Sequence, residues 1–237
     1  MLFNDPGQFI INSMFLIPGL LLGLVLHEWA HAQVAVARGD QTPRVDGRLS
    51  LDPSHHLDPI GTIAILLIHF GWAKPVRINP GQMRHRLDPA LVAVAGPLTN
   101  LLLAIGISIP LKFLVTAPGS GVICADSACF VQLTLGQAPL AILAAILAVA
   151  FYLNVVLAVF NILPIPPLDG YNLVATMFRR QSPQLFYTID ANRTVIALVF
   201  VLILFLAPGV FGHVIQPVYT TAANLLVGTP VYPFPGF

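Results

Sequence analysis

The chain has 237 residues, 57% of them hydrophobic and 9% charged, with a net charge of +1 and a mean hydropathy of +0.83. A soluble surface is normally about 25% charged, so this composition excludes a water-soluble globular protein. The near-zero net charge leaves no basic field for nucleic acid.

The expected fold class is therefore an all-α polytopic membrane protein, with the lipid bilayer as its first partner. A spanning helix needs about 20 mostly apolar residues. The N-terminus, MLFNDPGQF, lacks the positive region of a cleavable signal, so the first span, 9–37, is expected to act as the insertion signal. Residues 44–51 (RVDGRLSL) and 74–79 (KPVRIN) alternate polar and apolar side chains. That pattern predicts two half-buried strands, a small hairpin. Its exposed edge would pair with an extended substrate or only cover a site. Residues 60–72 are apolar but too short to span, which predicts a re-entrant segment. Further spans are expected at 89–116, 138–163 and 194–212, the last interrupted at Pro208. The tail TPVYPFPGF reads as an irregular interfacial end.

Charge placement sets the orientation. Seven of the 11 Lys and Arg residues lie between the first two spans, at Arg38, Arg44, Arg48, Lys74, Arg77, Arg84 and Arg86. Arg179, Arg180 and Arg193 follow the third span. The positive-inside rule puts 38–88 and 170–193 in the cytoplasm and residues 117–137 outside. Cys124 and Cys129 share that outer loop, where an oxidising exterior permits a disulfide; two unpaired thiols are the alternative.

The first span holds LVLHEWAHAQVAV, residues 24–36. His27 and His31 are four residues apart, so on a helix both point to one face about 6 Å apart along the axis. Both imidazoles reach one metal ion, and the adjacent Glu28 is placed to take a proton from water. Glu28 is the only glutamate in the chain. Ionisable groups inside a span are costly and usually functional; a plain polar cluster between helices is the alternative. A catalytic zinc needs a third protein ligand. Candidates at membrane depth are His69, Asp169 and His213. Asp169 fits best, because it closes NILPIPPLDG (161–170), where Pro164, Pro166 and Pro167 must interrupt the third span. An ordinary helix-end aspartate is the other reading.

HEWAH followed far downstream by NILPIPPLDG resembles the site-2 protease family of intramembrane zinc metalloproteases, in its compact bacterial type without PDZ or CBS domains. AGPLTN (95–100) matches that family's G-x-x-x-N segment, and FGWAKPVRINP (70–80) looks like its loop. The resemblance covers most of residues 20–175. It implies a single membrane-embedded metalloprotease domain over 1–237, with one zinc held by His27, His31 and Asp169. It implies Glu28 as general base and Asn161 holding substrate or the oxyanion, with Asn100 as packing or polar support. The implied reaction is hydrolysis of peptide bonds within or near the transmembrane segments of membrane-protein substrates. The expected setting is the cell membrane, and the charge-derived topology places the site toward its cytoplasmic face. An accessory role falls to His56 rather than His55; interfacial loop histidines are the simpler reading of both. A membrane metal carrier or sensor, or an inactive scaffold, would use the same ligands without hydrolysis, but no repeated halves of a transporter are visible.

Overall fold

The computed structural model describes residues 6–68, 71–125, 128–131 and 139–232. The first apolar run forms α1 (Pro6–Ala37). It stops where Gly39 adopts φ +111, a conformation that glycine takes at least cost. The Asp40 N–H closes back onto Ala35 O at 3.0 Å, completing the C-cap. Two one-turn helices follow, α2 (Thr42–Val45) and α3 (Pro53–His56), and then α4 (Pro59–Ile68). With 10 residues, α4 is about 15 Å long, half the thickness of a bilayer core. It docks through Ile65, which is buried with Leu16, Leu24 and Val149.

Helix α5 (Asp88–Thr116) opens on Asp88 and Pro89. The Asp88 carboxylate accepts from His85 N–H at 2.8 Å, and the fixed φ of proline suits a first turn. After β1 (Val122–Ala125) and β2 (Ala128–Val131) comes α6 (Pro139–Asn161). Among the described residues, α1, α5 and α6 are the helices long and apolar enough to cross a membrane by themselves. Contacts give their directions. Gly23 meets Asn100 and His31 meets Val92, so α1 and α5 run antiparallel. Gly19 meets Ala150 and Gly23 meets Asn154, so α1 and α6 run parallel with a constant offset. A Cβ on Gly19 would stand 2.9 Å from the Ala150 Cα; the small residue lets the two backbones touch, as close packing in lipid favours.

Helix α7 (Asp169–Phe178) follows a non-helical stretch with a cis Pro166–Pro167 bond, and α8 (Pro183–Ala191), α9 (Arg193–Leu206) and α10 (Pro208–Leu226) complete the helices. The expected fourth span is not continuous. Helix α9 ends at Leu206, and Pro208, lacking an N–H, begins α10 instead of extending α9. Helices α8 and α9 meet at a 68° bend and amount to a fourth span only if taken together.

A small sheet is present, but the hairpin predicted at 44–51 and 74–79 is not formed; the sheet is built from other residues, at the other end of the helices. Thr42–Val45 is helical, Gly47 turns the chain with φ +71, and 74–79 belongs to no strand. The alternation there reflects a half-buried extended loop, not a ladder. The sheet is instead β1–β2–β3, with β3 at Val231–Tyr232 inside the tail read as irregular. Strands β1 and β2 pair antiparallel with Cys124 opposite Cys129, and these two are disulfide-bonded. Strand β3 adds parallel to β2, and the Tyr219 hydroxyl of α10 donates to Val231 O.

Candidate active site

The break after α6 falls at a particular depth. The register that pairs Gly19 with Ala150 sets Asn161 level with Ala30. Helix α1 therefore continues for a further seven residues, about 10 Å, past the point where α6 stops. Into that gap the chain turns back and starts α7 at Asp169. Gly170 permits the turn, because a Cβ there would overlap Ile162 O.

The structure brings His27, His31 and Asp169 together. Asp169 Oδ2 lies 3.0 Å from His27 Nε2 and 3.2 Å from His31 Nε2, and the two nitrogens are 3.1 Å apart. Both rings are buried. Their far nitrogens are committed: His31 Nδ1 faces Val92 O at 2.7 Å and His27 Nδ1 faces Asn100 Oδ1 at 2.5 Å. The Asn100 amide cannot be reversed, since its Nδ2 donates to Gly23 O at 3.2 Å and to Asn154 Oδ1 at 2.9 Å. Asn154 is fixed in turn by donation to Ala150 O at 2.8 Å. Each histidine thus carries its proton on Nδ1, and each Nε2 presents a lone pair to the other and to a carboxylate. Lone pairs aimed at one point need a cation. Tetrahedral zinc, with bonds of about 2.0–2.1 Å, sets its ligand atoms about 3.3 Å apart, so the donor set fits that ion. Such support behind the ligating histidines is what metal sites typically require.

Gly96 lies on the same side of α5 as Asn100, one turn earlier. A Cβ there would stand 2.5 Å from Nε2 of both His27 and His31. Glu28 is half-buried and its Oε2 accepts from the Val76 N–H at 3.1 Å. Val76 belongs to the extended loop 71–79, which buried charges hold in place. Arg48 donates from Nη1 to His55 O and Lys74 O at 2.6 and 3.0 Å, and from Nη2 to Pro75 O at 3.2 Å. Asp40 accepts from Asn79 N–H at 2.7 Å. Outside the spans, the Arg77 guanidinium, 2.5 Å from Asp46, holds that carboxyl below its usual range. On α7, burial and then the Asp190 carboxylate at 2.5 Å push the Tyr171 hydroxyl up to about 12, and this contact ties α7 to α8.

A cavity of about 1090 Å³ opens onto the cluster. Its walls include Trp72 and Val76 of the loop, Phe160 and Asn161 at the end of α6, and Asn172 and Thr176 of α7. Asn161 thus borders the site, with Nδ2 donating to Leu157 O at 3.0 Å. His56 does not. It is fully buried, and its ring donates from Nε2 to Ser50 O at 2.7 Å while its carbonyl receives the Lys74 N–H at 2.8 Å. His55 packs near Gly47. His213 is exposed and turned to Gly209 O, and His69 lies outside the described residues.

A buried pair of histidines at one-turn spacing and a carboxylate beside them on a membrane-crossing helix, with a distant carboxylate closing on them from the short helix α7, define a membrane-embedded metalloprotease as the class. The model of peptidase family M50, the site-2 protease family, matches residues 15–206, and the chain belongs to that family. It is 40% identical over 172 residues to a Bacillus subtilis protein named Putative zinc metalloprotease YwhC, covering 70% of this chain and 72% of that one. It is 30% identical over 213 residues to the Mycobacterium tuberculosis protein named Putative zinc metalloprotease Rip2, covering 87% and 72%. No solved structure gives a significant match.

Proposed function

We propose that this protein is an intramembrane zinc endopeptidase that hydrolyses peptide bonds within or near the transmembrane segments of other proteins. The carrying observation is that Nε2 of His27, Nε2 of His31 and Oδ2 of Asp169 converge within 3.2 Å in a cavity that also holds Glu28. These three residues hold the zinc. Zinc, when bound, supplies Lewis acidity toward a carbonyl oxygen and toward water. Glu28 accepts the proton of the attacking water and delivers it to the leaving amine. The Val76 N–H keeps one oxygen of Glu28 occupied and leaves the other for that work. Asn161 gives one amide hydrogen to Leu157 O and offers its second to the substrate carbonyl. The gap where α6 stops short of α1 admits water to this depth, as unwound backbone in a membrane requires.

The cavity opens to the cytoplasm in this reading. Ten of the 11 cations flank its end of the helices, and the Cys124–Cys129 disulfide lies at the other, which suits an oxidising exterior.

Glu28→Gln tests the reading. The substitution preserves shape and leaves the three ligands. Zinc content is expected to stay, while cleavage of a single-span substrate falls by about 10²–10⁴-fold. A metal carrier has no need of a general base, so unchanged metal transport beside absent proteolysis in the wild type would replace this function with that one.

A further inference from the structure

The cavity that holds the site carries an unusual charge pattern at its outer part. Arg86, Arg179, Arg180 and Arg193 all line it, and its only lining acids are Glu28 and Asp169. Membrane insertion explains why cations gather at this end of the spans, but not why these four border one cavity. At the same end Arg77 pairs with Asp46 and Arg38 with Asp88, and Arg48 donates to three backbone carbonyls. Arg44 and Arg84, without an ion pair among the described residues, do not line the cavity. Arg179 is paired with Asp190 at 2.6 Å. Among the described residues, Arg86, Arg180 and Arg193 form no ion pair.

Helix α7 gives the spacing. Asp169, Asn172, Thr176 and Arg179 face the cavity in succession, so one side of α7 runs from the ligand cluster to the arginines. Arg179 is ten positions beyond Asp169, about 15 Å along the axis. An extended peptide covers that in four to five residues at about 3.3 Å each. A chain entering the cavity strips water from the unpaired guanidinium groups, and an uncompensated charge is costly to desolvate.

We infer, building on the proteolytic function proposed above, that the substrate is a membrane protein with an acidic residue four to five positions from the scissile bond on its cytoplasmic side. Arg86, Arg180 and Arg193, which all line the cavity, are the residues that select it. Most single-span proteins carry Lys or Arg on that flank, so the cavity discriminates against the majority and admits a minority with an acidic inner flank.

The test uses three single-span substrates that differ only at those two positions, carrying Glu, Gln or Lys, with the full-length zinc-loaded protein in phosphatidylcholine vesicles. The expected order of kcat/KM is Glu, then Gln, then Lys, with about tenfold between the ends, the size of one favourable and one unfavourable surface charge contact. The order should narrow at high salt, and Arg180→Glu/Arg193→Glu should invert it without loss of zinc. Binding of the same three substrates to Glu28→Gln protein must show the same order, so the inference is read even if no substrate is cut; absence of cleavage with ordered binding counts against the catalytic reading alone. Equal binding of all three, or an order that survives charge reversal, overturns the inference. Equal binding combined with stimulation by phosphatidylglycerol vesicles would also overturn it, by assigning the arginines to anionic lipid.

Discussion

Asn100 Oδ1 lies 2.5 Å from Nδ1 of His27, joining residues 73 positions apart. The contact decides which nitrogen of His27 carries the proton and therefore which one faces Asp169. Asn100→Ala removes the acceptor, leaves Asn154 Oδ1 without its donor and takes the second hydrogen bond from Gly23 O. Zinc affinity is expected to fall about 10–100-fold, the usual effect of losing support behind a ligand. Asn154→Ala acts only through Asn100 and should give a smaller loss. Competition with a fluorescent zinc chelator measures both, and equal effects would show that the relay is not ordered as described.

Gly96 bears on the site without any polar atom of its own. Gly96→Ala puts a methyl group 2.5 Å from both Nε2 atoms, so either the rings move or α5 shifts from α1. Zinc occupancy is expected to be lost or nearly so. Gly106 on the same helix has nothing within 4 Å of its virtual Cβ, and Gly106→Ala should bind zinc as the wild type does. Metal analysis of the two purified variants makes the comparison.

In the proposed site, Asp169 would supply the one ligand from outside α1. Asp169→Ala leaves two histidines, and the zinc content of purified protein should drop sharply, because a ligand contributes more than the support behind it. Full occupancy in that variant would show that a residue other than these three completes the site. Zinc removal by a chelator should likewise stop proteolysis by the wild type, and added zinc should restore it.

Arg48 is only 4% exposed, yet it forms no ion pair among the described residues. Its partners are three backbone carbonyls. Hydrogen bonds from a charged donor contribute about 1.5–3 kcal/mol each. Arg48→Met should therefore free the 73–79 segment by roughly 2 kcal/mol, seen as about thirtyfold faster amide exchange at Val76. Unchanged exchange there would mean that the loop holds its course without Arg48.

Much of this site could be read from the chain because its parts obey strong local rules. One-turn spacing put His27 and His31 on one face, and three prolines required α6 to stop near Asp169. The three long apolar runs became α1, α5 and α6 for the same reason. What was not legible depends on contacts between distant backbones. Gly96 stood in view within AGPLTN, but its role exists only because α1 crosses α5 at His27 and His31. Asn154 carries a signal of its own: it is an amide in the middle of an apolar span, where polar groups are expensive. The 44–51 and 74–79 segments misled because alternation records which side is wet. It does not record whether a partner strand is present, and here Pro43, Gly47 and Arg48 settle the chain into turns instead.

The loop beside Glu28 has a further property. Arg48 grips it by the carbonyls of Lys74 and Pro75, Asp40 by the amide of Asn79, and Glu28 by the amide of Val76. Every one of these grips is on the main chain. Apart from the Arg77–Asp46 pair, the loop is thus anchored by residues outside it, while the side chains of Val76 and Ile78, which line the cavity, make none of these contacts. Related proteins with the same Arg48 and Asp40 anchors can exchange those two side chains and meet different substrates along an unaltered track.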